Sequence, residues 1–454
     1  MSRQLFGTDG IRGIAGDPPL DPKTAHALGF ALGTWVQRVA HQNHGGVPDH
    51  PQVVIGMDTR ESGPWLAAQV AGGLAETGVS TQFAGVITTP GVAYLARTGP
   101  FLAGVMISAS HNPYQDNGIK VISHSGYKLA DEVELELEHL IFEWLSKEQE
   151  AVPAELSIDR SLDHVYTDYL ANTVHHRFPF RLVVDCANGS ASEVAPALFE
   201  RLGADVTWIG RQPDGRNINL DCGSLHLEGL RKSVLETKAD FGIAFDGDAD
   251  RALFVSGTGK IIDGDAVLFF TGKALKEAGH LPRNLVVSTV MSNLGLEQAF
   301  AAQGITMLRT PVGDKYVLEE MLRQGAVLGG EQSGHVIFSE FATTGDGLLT
   351  ALRVLNVVRE SGKNLDELAA EIRNIPQKLV NVRVKHKRPL TELTAVQNEI
   401  AAAENEFQGN GRVVVRFSGT EPLARVMIEA QTEDAVERWT SRIAEAIRAE
   451  LGAA

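Results

Sequence analysis

The sequence predicts an α/β protein: three related mixed-sheet domains in series, closed by a smaller α+β domain. Three observations predict it. First, a β-branched run that breaks into a polar loop occurs three times, as VVIGMDTR (53–60), LVVDCANGS (182–190) and LVVSTVMSN (285–293). Second, a helical stretch follows each run, over 64–77, 191–202 and 294–303, and each stops at a glycine (Gly78, Gly203, Gly304) that can take the left-handed turn ending a helix. Third, a further strand-like run and a Pro/Gly loop come next, as ITTPG (87–91), RQPDG (211–215) and TPVGD (310–314). Crossovers of this kind join strands of parallel or mixed sheets, and their recurrence marks a repeat.

The end of the chain is different. A strand is expected over 378–385, a helix over 391–406, strands over 411–417 and 424–430, and then a last helix. That helix carries Val436, Trp439, Ile443, Ile447 and Leu451 on one apolar stripe, which reads as core. The expected domains are 1–156, 157–256, 257–375 and 376–454. HQNHGGVPDHP (41–51) reads as a solvated surface insertion rather than a histidine metal site.

Composition narrows the function. A formal charge of −16 over 454 residues disfavours nucleic acid or an anionic membrane as partner. The two cysteines, Cys186 and Cys222, form no disulfide framework and suit a reducing, cytoplasmic setting. The start, MSRQLFGTDG, has no apolar signal core, and no apolar run nears the ~18 residues of a membrane span.

Six segments can carry chemistry. In FDGDADR (245–251), Asp246, Asp248 and Asp250 alternate just beyond an apolar strand, Phe241 to Phe245. Three carboxylates so close repel one another, and a hard cation such as Mg²⁺ resolves the conflict. An EF-hand is the rival, but its sixth position would be Arg251 and its twelfth Gly257. In RFSGTEPLAR (416–425), Arg416 and Arg425 flank a turn of Ser418, Gly419 and Thr420, a natural phosphate cradle. GGEQSGHV (329–336) offers Glu331 and Ser333 for a polyol. GTDGIRG (7–13) and DTRESG (58–63) are Gly-containing loops that present Arg12 and Arg60. Finally, SASHNP (108–113) follows the strand-like Gly104 to Ile107 and holds two serines and His111, with Lys120 ending a DNGIK turn nearby. Beside a cation either serine could accept a phosphoryl group.

These motifs, in this order, resemble the α-D-phosphohexomutase superfamily over essentially the whole chain. The resemblance implies three α/β domains and a C-terminal domain around a central cleft. It implies that Ser110, not Ser108, carries the phosphoryl group and joins Asp246, Asp248 and Asp250 on one Mg²⁺. It further implies roles for Lys120, His111 and Arg251 in proton transfer and charge stabilisation, and for Arg12 and Arg60 at the transferring phosphoryl. Glu331 and Ser333 would hold sugar hydroxyls; Arg416, Ser418, Gly419, Thr420 and Arg425 would grip the other phosphate. FGTDGIRG, TPVGDKYV (310–317) and TTGDG (343–347) resemble members that take glucosamine 6-phosphate to glucosamine 1-phosphate, feeding UDP-N-acetylglucosamine and cell-wall synthesis. A glucose or glucosamine 1,6-bisphosphate activator and a homodimer are compatible with that pattern. The alternatives are a mutase of broader sugar choice and a non-catalytic sugar-phosphate sensor. Two departures stand out: Leu225 and Leu227 in CGSLHLE (222–228), and Met57 in GMDTR.

Overall fold

The computed structural model describes residues 3–7, 9–42, 50–147, 149–418 and 422–452. Most of the 41–51 insertion therefore lies outside the described residues, as do Gly419 and Thr420 of the expected phosphate cradle. No helix among the described residues is long and apolar enough to cross a membrane.

The first domain holds β1 (Phe6–Gly7), β2 (Gly10–Ile14), β3 (Gln52–Met57), β4 (Ser80–Val86), β5 (Ala103–Ile107) and β6 (Asp116–Ser123), in the order β1-β2-β6-β5-β3-β4. The second holds β7 (Arg181–Asp185), β8 (Asp205–Ile209), β9 (Phe241–Phe245), β10 (Ala252–Ser256) and β11 (Ile261–Ile262), in the order β11-β10-β9-β7-β8. The third holds β12 (Leu285–Thr289), β13 (Thr306–Thr310), β14 (Leu328–Gly330) and β15 (Val336–Phe338), in the order β13-β12-β14-β15. The repeat is now explicit. In each domain a central strand (β3, β7, β12) has parallel neighbours on both sides, and the second of these turns back into an antiparallel strand. The last turn-back places one hairpin loop per domain: Ser108–Gln115, Asp246–Arg251 and Glu331–His335. Three of the expected functional motifs occupy this one topological position.

Local chemistry explains the elements. The helices Gly63–Glu76, Ala191–Arg201 and Leu294–Ala302 each run to a glycine at φ +77°, +77° and +62°. ITTPG is not a loop: Thr88 caps the helix Thr89–Thr98, accepting the Gly91 N–H at 3.0 Å, and Pro90 sits in the first turn where its missing N–H costs nothing. DNGIK is not a turn either but the first half of β6, where Asn117 and Gly118 pair with Gly13 and Arg12 of β2. The second sheet also runs past the expected boundary at 256, because β11 completes its edge.

One apolar cluster spans the first three domains, from Val54 and Ile87 through Val184 and Phe245 to Val286 and Leu348. The fourth domain stands on its own core. Its antiparallel sheet, β16 (Gln377–Arg383), β17 (Arg412–Phe417) and β18 (Leu423–Glu429), is ordered β16-β18-β17. The helix Glu433–Leu451 packs its stripe from Val436 to Leu451 against that sheet, as its periodicity predicts.

Candidate active site

The three hairpin loops converge on a cleft of about 750 Å³. Arg12, Ser110, His111, Asp250, Arg251 and Glu331 all line it. Ser110 sits at φ +51°, a conformation that costs a non-glycine residue energy and concentrates at functional sites. Its Oγ donates to Asp246 Oδ2 at 2.6 Å and lies 3.3 Å from His111 Nδ1. Ser108, by contrast, is fully buried: its Oγ donates to Asp58 Oδ2 at 2.6 Å and accepts the Ser110 N–H at 2.9 Å. One serine faces the cleft and the other supports the loop.

Arg60 departs from its expected place at the transferring phosphoryl. Its guanidinium is buried, pairs with Asp58 at 2.9 Å, and donates to the carbonyls of Ser110 (2.9 Å), Asn112 (2.8 Å), Asp116 (2.9 Å) and Pro113. All its donors are spent on shaping the Ser110 loop. Asn219, from the second domain, reinforces the same carbonyls of Ser110 and Asn112 at 3.0 and 3.1 Å.

Asp246, Asp248 and Asp250 are buried and can each bring one carboxylate oxygen within 4.8 Å of the others. Burial and the Asp250 and Asp248 charges push the Asp246 carboxyl well above its ordinary range. Asp248 Oδ1 and Asp250 Oδ1 are buried and accept no hydrogen bond among the described residues. Buried carboxylates grouped this closely, with oxygens left unsatisfied, suit a hard divalent cation, so the triad could hold one. The loop is tied to every neighbour: Thr89 N–H donates to Asp248 O, Ser190 Oγ to Gly247 O and Gly347 N–H to Ala249 O.

Around the triad the charges are graded. Burial works against the Lys120 ammonium, but Asp248 at 2.8 Å and Asp9 at 3.0 Å hold it protonated. His111 goes the other way: burial, then Arg251 and Arg12, lower its pKa to about 4. The ring is therefore neutral near pH 7 and can accept a proton. Arg251 Nε lies 3.9 Å from Asp246 and 3.8 Å from Asp250. Arg12 pairs with Asp9.

Glu331 lines the cleft, with Oε1 accepting the Gly313 N–H at 3.1 Å; Ser333 shares its turn, its hydroxyl buried without a hydrogen-bond partner among the described residues. No described residue of the fourth domain lines this cleft. Arg416 and Arg425 instead face each other directly across β17 and β18, and burial and the Arg425 charge lower the Arg416 pKa. Two guanidiniums held side by side favour an anion between them. Ser418 closes the adjacent turn, its N–H donating to Leu423 O at 2.9 Å.

Sequence reading passed over several residues. His335 received no role, yet its Nε2 accepts the Gly345 N–H at 3.1 Å, leaving Nδ1 to face Asp250 at 3.5 Å. Asp9, Lys128 and Asp314 join the first and third domains beside Lys120. Asp9 and Asp314 lay inside the motifs GTDGIRG and VGDKY, but Lys128 left no signal.

Comparison with known proteins agrees with this architecture. The chain matches the phosphoglucomutase/phosphomannomutase domain descriptions in order: α/β/α domain I over 3–148, domain II over 160–259, domain III over 263–375 and the C-terminal domain over 379–446. A phosphoglucomutase/phosphomannomutase family protein of Burkholderia thailandensis superposes with a TM-score of 0.80 at 25% identity, covering 99% of this chain and 98% of its own. The chain belongs to the phosphoglucomutase/phosphomannomutase family of the α-D-phosphohexomutase superfamily, and is a mutase of the isomerase class. Phosphoglucosamine mutase of Solibacter usitatus is 56% identical over 453 residues, all of both chains. That of Koribacter versatilis is 50% identical over 460 residues, 99% of this chain and 98% of its own. Within the family the chain thus groups with the bacterial phosphoglucosamine mutases.

Proposed function

We propose that this enzyme interconverts glucosamine 6-phosphate and glucosamine 1-phosphate through phospho-Ser110 and a bound 1,6-bisphosphate. The observation that carries the reading is Ser110 Oγ, 2.6 Å from Asp246 at the edge of a buried carboxylate triad, on the wall of the cleft. Mg²⁺ held by Asp246, Asp248, Asp250 and the Ser110 oxygen would neutralise charge on the transferring phosphoryl.

In the forward half, the sugar O1 hydroxyl attacks phosphorus and the bond from phosphorus to Ser110 Oγ breaks. In the second half the 6-phosphate returns to Oγ, leaving the sugar O6 hydroxyl. Each half takes one proton from an attacking hydroxyl and gives one to a leaving oxygen, so none is lost overall. His111, 3.3 Å from Oγ and neutral, and Lys120, held protonated beside Asp248, would carry them. Arg12 and Arg251 supply positive charge on the cleft wall, while Arg60 keeps the Ser110 loop in its strained shape. Glu331 and Ser333 hold sugar hydroxyls, and Arg416, Ser418, Gly419, Thr420 and Arg425 grip the distal phosphate. A glucose or glucosamine 1,6-bisphosphate would recharge Ser110 when the intermediate escapes.

The test compares kcat/KM for the 6-phosphates of glucosamine, glucose and mannose with Mg²⁺ present. The reading predicts that glucosamine 6-phosphate leads. Equal or better turnover of the other two would replace it with a mutase of broad sugar choice.

A further inference from the structure

Lys128 belongs to none of the sequence motifs, and it stands where the first and third domains meet. Its Nζ lies 2.8 Å from Asp9 Oδ1 and 2.6 Å from Asp314 Oδ2. Asp9 turns its other oxygen to Lys120 Nζ at 3.0 Å, and Lys120 reaches Asp248 Oδ2 at 2.8 Å. An unbroken chain of opposite charges thus runs from the third domain through Lys128 to the carboxylate triad. Lys128 does not line the catalytic cleft; it lines a neighbouring cavity of about 370 Å³ that shares Asp314 with it. Asp9 and Asp314 both line the cleft, so Lys128 reaches it through these two carboxylates.

We propose that Lys128 is a positioning residue for the mutase reaction, clamping Asp9 to Asp314 so that Lys120 is held against Asp248. The proposal rests on the mutase reading given above. Its physical basis is the two-sided demand on Asp9. Lys128 fixes one oxygen of Asp9, while the other is shared by Lys120 and Arg12; without Lys128 the carboxylate can swing about the Arg12 pair, and the Lys120 ammonium loses part of its support. Asp314 loses its ammonium partner at the same time, which loosens the seam. A misplacement of about 1 Å at a reacting group can cost on the order of 100-fold in rate. A neighbouring pair, Lys315 with Asp131, crosses the same seam without touching Asp9, and so separates the clamp from seam integrity in general.

The full-length enzyme is assayed on glucosamine 6-phosphate with Mg²⁺ as wild type, Lys128→Met, Lys128→Arg and Lys315→Met, with the Tm of each. Lys128→Met should lower kcat about 10- to 100-fold with KM within about twofold. Lys128→Arg should recover most of that loss, and Lys315→Met should keep the wild-type kcat. An unchanged kcat in Lys128→Met would overturn the proposal, as would an equal loss in Lys315→Met. If Lys128→Met proves too unstable to assay, the Arg variant decides: near wild-type kcat supports the clamp, and a loss as deep as that of inactive enzyme contradicts it. Wild-type enzyme that fails to turn over any hexose phosphate would remove the mutase reading itself, and this proposal with it.

Discussion

Two serines separated by one alanine do different work. Ser110 is strained, faces the cleft and donates to Asp246; Ser108 is enclosed and braces the loop through Asp58. Ser110→Ala should abolish turnover and prevent phosphate incorporation. Ser108→Ala should keep the phosphate on Ser110 in peptide maps but lower stability by about 1–3 kcal/mol, read as a drop in Tm, because Asp58 loses a buried donor. Equal catalytic loss in both at unchanged Tm would contradict this division. Composition alone left the pair open, and the family pattern selected Ser110. What the pattern did not disclose is the buried scaffold. The family pattern implied Arg60 at the transferring phosphoryl, yet its Nε ends on Asp58 and its other donors on backbone carbonyls. Such an allocation depends on where residues 110–116 fold back, which local sequence does not encode.

At the level of elements, the hairpin from the third to the fourth strand of each repeat is the functional unit. Alternating apolar runs and glycine stops made the strands and helices legible to within a few residues. The two misread segments share a cause. ITTPG and DNGIK contain residues that usually punctuate structure, but here a cap and a cross-strand ladder absorb them. Close approach sets a strict limit at Gly247, where an added Cβ would lie 2.5 Å from the Ser110 carbonyl oxygen. Gly247→Ala should therefore displace the Ser110 loop and cut kcat at least tenfold, and a wild-type rate would contradict the packing described. The helix Gly264–Glu277 offers a pH test. Burial, then Asp263, raises Asp265 to about 7, while its Oδ2 accepts the Asn293 N–H at 2.8 Å. A carboxyl whose native pKa is raised stabilises the fold below the unfolded value near 4 and loses that contribution as pH climbs through 7. Asp265→Asn should thus match wild type below about pH 4 and exceed it by on the order of 2–4 kcal/mol at pH 8 in denaturant unfolding. A gain independent of pH would contradict it.

Across the whole molecule, one apolar cluster runs through three domains while the fourth is packed on its own. The junction is polar. Glu429 accepts the Leu294 N–H at 3.1 Å, Arg412 and Arg309 both donate to the Ser292 carbonyl, and Asn293 exchanges hydrogen bonds with Ile375. A distal-phosphate grip on a separately packed domain can bind without altering the triad. Arg425→Ala should accordingly raise KM about 10- to 100-fold while leaving phosphorylation of Ser110 intact; a fall in kcat with KM unchanged would place Arg425 elsewhere. The threefold repeat and the closing domain could be read from periodicity, because each is encoded within a few tens of residues. The seam could not be, since Lys128 and Asp314 meet across 186 positions. The claim on which everything turns is that Ser110 carries the phosphoryl group. Incubating the purified enzyme with Mg²⁺ and glucose 1,6-bisphosphate, then mapping phosphopeptides, tests it most directly. Phosphate should appear on Ser110 alone and be discharged when glucosamine 6-phosphate is added. Phosphate on another residue, or none in enzyme that still turns over, would contradict it.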